Sequence, residues 1–154
     1  MIKYLLLLLL LFSSWAHTDF SGNVVKVIDG DTVDLLIAQN KKIRIRLADI
    51  DAPERGQPYG EKSRQFLATL IVGKQVFVKD KGKDIYQRTL GTIYVKKINV
   101  NAKMVSNGYA WAYRYKNKAT NQTMVLLESQ AKQKRLGLWQ SKKPVAPWEF
   151  RRNK

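Results

Sequence analysis

The chain has 154 residues, with 28 Lys or Arg against 12 Asp or Glu, one histidine and no cysteine, for a formal net charge of +16. Without cysteine there is no thiol catalysis, disulfide framework or Cys-ligated zinc, and a lone His17 argues against His-ligated zinc and a Ser-His-Asp triad. Any chemistry must use carboxylates, Arg, Lys, Tyr and a bound metal, and the charge favours a polyanionic partner: nucleic acid, anionic lipid or envelope polymer.

In chain order, Lys3, the apolar run Leu5 to Phe12 and the small residues Ser14 and Ala16 read as a secretory signal cleaved after Ala16, with an uncleaved anchor as the alternative. The run is short of the about 20 residues that span a bilayer. The expectation is a signal at 1–16, one domain over 17–140 and a basic, flexible tail over 141–154. It is also that of an exported protein, periplasmic or secreted, monomeric and with no membrane insertion after signal removal.

From Phe20 to Ile50 the pattern is that of strands. Val24, Val25, Val27 and Ile28 form one run, Asp29-Gly30-Asp31 signals a turn, and Thr32 to Ala38 forms a second run. After Gln39-Asn40-Lys41, Ile43, Ile45 and Leu47 alternate with Arg44, Arg46 and Ala48. The period of two points the aliphatic set to the core and both arginines to the opposite face. Beyond Pro53 and Pro58 the period becomes helical, with Phe66, Leu67, Leu70 and Ile71 on one face and Gly73 as the stop. Gln75 to Val78 and Leu90 to Val95 read as strands around a polar, mobile loop, Asp80 to Thr89. Val100 to Asn107 is predicted helical with Asn99 as its cap, and Met124 to Leu136 as a longer helix. Five strands interrupted by a helix after the third predict an α+β fold built on a small closed barrel of the oligonucleotide-binding (OB) kind.

Six of the 12 acidic residues, Asp29, Asp31, Asp34, Asp49, Asp51 and Glu54, fall in one short stretch of a strongly basic chain. Asp31 sits at the first turn and Asp51 just after the third strand, so neighbouring strand ends can bring both together for a hard cation. Taken alone, Asp29-Gly30-Asp31 is equally an ordinary hairpin turn. Glu54, in a segment directed by Pro53, can act as a general base or be a solvated loop acid. Arg44, Arg46 and Arg88 are planar donors suited to a phosphodiester or are surface arginines of a basic protein. Tyr86, Tyr109, Trp111, Tyr113 and Tyr115 interleave with cations as base-stacking surfaces do. The favoured division puts Tyr109 and Trp111 in the core and leaves Tyr113 and Tyr115 exposed.

Val27-Ile28-Asp29-Gly30-Asp31-Thr32 and Arg46-Leu47-Ala48-Asp49-Ile50-Asp51-Ala52-Pro53-Glu54 resemble the staphylococcal (thermonuclease-type) nucleases. The resemblance continues through Asp84-Ile85-Tyr86-Gln87-Arg88, Ala112-Tyr113-Arg114-Tyr115 and Leu136-Gly137-Leu138-Trp139. It covers about Gly22 to Trp139. It implies a five-stranded OB-type barrel with three helices and Ca²⁺-dependent hydrolysis of DNA and RNA. It assigns Asp31, Asp51 and the Ala52 carbonyl to one Ca²⁺, Glu54 to the attacking water, Arg46 and Arg88 to phosphate, and Tyr86, Tyr113 and Tyr115 to the nucleotide. Oxygen ligands also suit Mg²⁺ or Mn²⁺.

The chain departs from the family pattern where Gln87 replaces a glycine before the second arginine, and where Ile85 replaces a lysine. If position 87 needs positive φ, Gln87 strains or shifts the loop that carries Arg88. The alternative function is a catalytically weak or inactive OB-fold module that binds nucleic acid without cutting it. A cationic protein of envelope polymers is a further rival, which needs the charge but not the acidic cluster.

Overall fold

The aliphatic runs and the two turns between them fold as an antiparallel meander, β1 (Phe20–Asp29), β2 (Thr32–Ile37) and β3 (Lys41–Leu47). Both residues of the second turn, Gln39 and Asn40, have positive φ, 60° and 56°. A computed structural model describes residues 18–153, so the signal-like segment 1–16 lies outside the described residues. The remaining elements are β4 (Ile50–Asp51), α1 (Gly60–Ile71), β5 (Gln75–Lys83), β6 (Thr89–Val95), β7 (Ile98–Asn99), α2 (Val100–Ser106), β8 (Trp111–Ala112), β9 (Arg114–Tyr115), β10 (Lys118–Ala119), α3 (Gln122–Gln133) and α4 (Pro147–Arg152).

The main sheet runs β3-β2-β1-β5-β6, and β6 returns to pair with β3 in parallel, Ile45 opposite Thr89 and Leu47 opposite Gly91. This closes a five-stranded barrel of OB type, in which no core strand leaves a bare edge for pairing with another chain. The period of two in β3 does what it predicts. Ile45 and Leu47 are fully buried, Arg44 is exposed, and Ile43 at the strand's start is only partly covered. Val33, Leu35, Val76, Val78 and Ile93 complete the barrel interior, capped by Leu67 and Ile71 of α1 and by Met104 and Val105 of α2. Asn99 caps α2 as its sequence suggests, accepting from the Ala102 N–H (3.0 Å), while α3 starts before the expected Met124 because Asn121 caps it, accepting from Met124 N (3.3 Å). Among the described residues no helix is long and apolar enough to cross a membrane.

Two features differ from the sequence expectation. The segment Asp80 to Thr89 is not all loop, because β5 continues to Lys83 through a bulge in which Asp80 Oδ1 accepts from Gly82 N (2.8 Å). The remaining loop is wound around one side chain. Asp84 Oδ1 accepts from Tyr86 N and Arg88 N (both 2.9 Å), while its Oδ2 accepts from Arg88 Nε (2.7 Å). Gln87 has φ 62°, so position 87 does require the left-handed region, and the loop keeps its closed form with a residue that pays for it in strain. The second difference is at the carboxyl end. Residues 141–154, expected as a flexible tail, contain α4, which starts at a Pro suited to the first helical turn and is the fourth α-helix among the described residues. Trp148 packs edge-on against Trp111 with ring centroids 5.3 Å apart, Ala146 is buried, and the Val145 carbonyl accepts from Gln57 Nε2 (2.7 Å). A polar, basic sequence hides this because its anchors are isolated residues without period.

Asn101 is the buried polar pin of the fold. Fully enclosed on α2, it accepts from Ile93 N (3.0 Å) and donates to the carbonyls of Ala48 (2.9 Å) and Gly91 (3.1 Å). It thereby holds the barrel seam and the start of the segment leading to Asp51. Asn101→Ala takes a hydrogen bond from each of three buried backbone groups, of which the Gly91 carbonyl keeps its bond from Ala48 N, and is expected to destabilise the chain by about 2–4 kcal/mol in urea unfolding. Gln87→Gly removes left-handed strain and is expected to stabilise by up to about 1 kcal/mol in the same measurement.

Candidate functional site

Three separate stretches of sequence meet at one end of the barrel. The β1–β2 turn delivers Asp31, β3 delivers Arg46, and β4 with the segment after it delivers Asp51, Ala52 and Glu54. The close approach of the turn to this segment needs a glycine, since a Cβ on Gly30 would lie 2.7 Å from the Cβ atoms of Ala52 and Ser63. Likewise, a Cβ on Gly60 would collide with the Glu54 carbonyl oxygen, so the first residue of α1 lets the Glu54 turn fold back on it. β4 is itself held by β8, with Ile50 opposite Ala112 and Asp51 opposite Trp111. β8 in turn is anchored by the buried Glu128, which accepts from Ala112 N (3.1 Å) and from both terminal nitrogens of Arg114 (3.1 and 2.6 Å). Burial alone would push the Glu128 carboxyl up, but Arg114 and Lys132 outweigh it and hold the group below its ordinary range.

Arg46 is the hub. Its Nη2 lies 3.0 Å from Asp31 Oδ2 and 3.3 Å from Asp51 Oδ1, while Nη1 donates to the carbonyls of Leu47 (2.7 Å) and Ile50 (3.0 Å). Asp31 Oδ2 also accepts from Ala52 N (2.7 Å), which ties the two strand ends directly together. Both aspartates are buried, with Asp31 6% and Asp51 2% exposed. Burial drives the Asp31 carboxyl up to about 6, against the pull of Arg46 and with a further push from Asp29. Burial likewise raises Asp51, with Arg151 opposing it and Asp31 adding to it. A site that makes two neighbouring acids costly to ionise is a site that favours cations.

A cleft of about 930 Å³ opens over this cluster and is lined by Asp31, Arg46, Glu54, Tyr86, Arg88, Tyr113 and Tyr115, among others. Seven of the residues singled out from sequence therefore share one cavity wall, while Asp51 and Ala52 lie behind it. Arg88 faces the cleft with its guanidinium tied to Asp84 and stacked 5.5 Å from the Tyr86 ring centre, rather than to the acidic pair. Tyr86 and Ile85 form an exposed loop tip, Tyr115 is exposed and Tyr113 half-buried. Trp111 is buried in a second apolar cluster with Trp139 and Tyr115 is exposed, as expected, but Tyr109, stacked on Phe66 at 4.1 Å, is as half-buried as Tyr113, so the expected division holds for two of the four aromatics. Arg44 leaves the site: it forms a fork on the buried Asp34 (2.8 and 3.1 Å) along the same strand pair. Asp49 faces Lys81 (2.6 Å).

Sequence reasoning missed two residues. Gln57 accepts from Glu54 N (2.9 Å) while donating to Val145 O, so it joins the Glu54 turn to the stretch before α4. Arg151 of α4 reaches Asp51 and Glu54 and lines the cleft. Arg151 carries no local signal, because Arg151 and Arg152 at a chain end read as solvated charge.

The sequence model of the family described as Staphylococcal nuclease homologue matches residues 44–141. Among curated proteins, the chain is 45% identical to "Micrococcal nuclease" of Shigella flexneri, over 93% of this chain and 87% of that protein. It is 44% identical to "Protein ParB" of Escherichia coli, over 95% of this chain and 87% of that protein. It is also 42% identical to an "Uncharacterized endonuclease" of Haemophilus influenzae, over 96% of this chain and 82% of that protein. With a barrel closed as that family's resemblance implies and with identities of this extent, the chain belongs to the staphylococcal nuclease family.

Proposed function

We propose that the chain is an exported nuclease that hydrolyses phosphodiester bonds of DNA and RNA with one Ca²⁺ held by Asp31, Asp51 and the Ala52 carbonyl. The observation that carries this reading is the convergence of Asp31, Arg46 and Glu54, from three neighbouring stretches of the chain, on one cleft wall with Asp51 just behind it, in a basic protein. Its membership of a nuclease family supports the same reaction class.

The donor set suits a hard cation, because every candidate ligand is an oxygen. Among the described residues no group of three His, Cys, Asp or Glu side chains is close enough to hold a metal alone. Carbonyl, water and substrate oxygens would complete the shell, as hard cations accept. Mg²⁺ or Mn²⁺ meets the same requirement. When bound, such an ion polarises a phosphoryl oxygen and supplies an ordered water.

The protein's own groups do the rest. Glu54, partly exposed on the cleft wall, accepts a proton from the attacking water at a carboxylate oxygen. Arg46, released from the carboxylates once they are neutralised otherwise, turns a terminal nitrogen to the equatorial phosphoryl oxygens, and Arg88 approaches from its loop. Tyr86, Tyr113 and Tyr115 offer ring faces to bases along the cleft. The basic surface draws in the polyanion, with an affinity that falls steeply with salt. Export to the periplasm or medium rests on the amino-terminal pattern of Lys3, the Leu-rich run and Ala16.

The test is cleavage of plasmid, single-stranded DNA and RNA with Ca²⁺, with Mg²⁺ and with chelator. Ca²⁺-dependent cleavage is expected, with Glu54→Gln lowering kcat by roughly 10²–10⁴-fold and Arg46→Ala by roughly 10²–10³-fold. Undiminished turnover in Glu54→Gln overturns the role of that residue. Salt-sensitive binding without cleavage under any metal would make the chain a binding module instead.

A further inference from the structure

Arg151 occupies the acidic site with an unusually complete grip. Its Nη1 donates to Asp51 Oδ1 (3.1 Å) and to Glu54 Oε1 (2.6 Å), and its Nη2 donates to Asp51 Oδ2 (2.8 Å). One guanidinium therefore engages both oxygens of Asp51 and bridges to Glu54, in the fork geometry that makes arginine a better carboxylate partner than lysine. Asp51 consequently contributes no surface to the cleft, whereas Arg151 does.

The grip is built into the fold. α4 is seated by Trp148 against Trp111, by buried Ala146 and by the Gln57–Val145 hydrogen bond. Gln57 also holds the Glu54 backbone, so the helix and the turn it contacts share one anchor. Yet α4 has only six residues, Pro147–Arg152, and buries only Pro147 among them. The Arg151 side chain remains 45% exposed. An element so small can withdraw its last turn without opening the barrel core.

We propose that Arg151 is a tethered cation that competes with the divalent ion for Asp51 while also engaging Glu54, so that the helix α4 sets the metal affinity of the site. This rests on the metal reading of Asp31 and Asp51 given above. The Arg151 fork takes up both Asp51 oxygens, and a divalent cation brought to the same carboxylate is repelled by the guanidinium more strongly in a partly buried site than in water. Metal entry therefore requires Arg151 to leave. With metal absent, the same contact keeps a buried carboxylate paired and Glu54 engaged. Arg46 does not play this part, since its Nη1 stays fixed to the Leu47 and Ile50 carbonyls and only its Nη2 need turn from the carboxylates.

The test is calorimetric titration of Ca²⁺ alone into the full chain and into Arg151→Ala, Arg151→Gln and Asp51→Asn, each checked for native circular dichroism. If the tethered guanidinium is seated about nine-tenths of the time, both Arg151 variants bind Ca²⁺ roughly tenfold more tightly than the parent. Their rise in Tm on adding Ca²⁺ is correspondingly larger. Ca²⁺ binding that is lost in Asp51→Asn but equal or weaker in the Arg151 variants overturns the competition alone. Binding that is absent throughout, or indifferent to Asp51→Asn, overturns the metal reading and the competition with it.

Discussion

The burial of Asp31 and Asp51 side by side is the constraint on which the rest of the site depends. Two carboxylates taken out of water close together resist ionising, and the structure answers with arginines: Arg46 between them from below and Arg151 across Asp51 from the cleft. Neither aspartate could be left without such a partner, because an unpaired buried charge costs several kcal/mol. The same local debt of positive charge is what a divalent cation would satisfy. Electrostatics thus couples the metal-free form of the chain to its proposed active form.

Such a pair can exist only if the strand ends carrying it are held against relaxation, and buried polar side chains do that holding. Asn101 joins α2 to the barrel seam and to Ala48, upstream of Asp51. Glu128 of α3 fixes β8, which pairs with the two residues of β4. The Ala52 N–H closes the circuit on Asp31. Each of these hydrogen bonds lies in a place water does not reach, where losing a partner costs most. The barrel interior supplies stability, and this polar layer at its end supplies the geometry.

Four arginines, two of them on one strand, illustrate how environment divides one residue type into distinct tasks. Arg44 and Arg46 are two apart on β3, yet Arg44 serves Asp34 at the surface and Arg46 serves the buried pair. Arg88 is prepared by its own loop, where Asp84 holds the backbone and the guanidinium together despite the positive φ of Gln87. Arg151 comes from an element outside the matched family segment, which ends at residue 141.

The sequence by itself determined the meander, its turns, the first three helices and the Asn99 cap, because alternation, helical period and cap residues are local properties that short windows reveal. The family resemblance of its motifs also pointed to Asp31, Arg46 and Glu54, which the fold brings to one cleft wall, and to Asp51 just behind it. Tertiary structure alone decided how β6 closes on β3, since parallel pairing joins segments far apart in sequence and leaves no local mark. It decided that Arg44 turns to Asp34, that Asp84 winds the Arg88 loop, and that part of the polar stretch after Asp80 extends a strand. Above all it decided the fate of the carboxyl end. A pair of arginines among polar residues looks solvated in any window, and only the packing of Trp148 on Trp111 carries Arg151 onto Asp51 and Glu54.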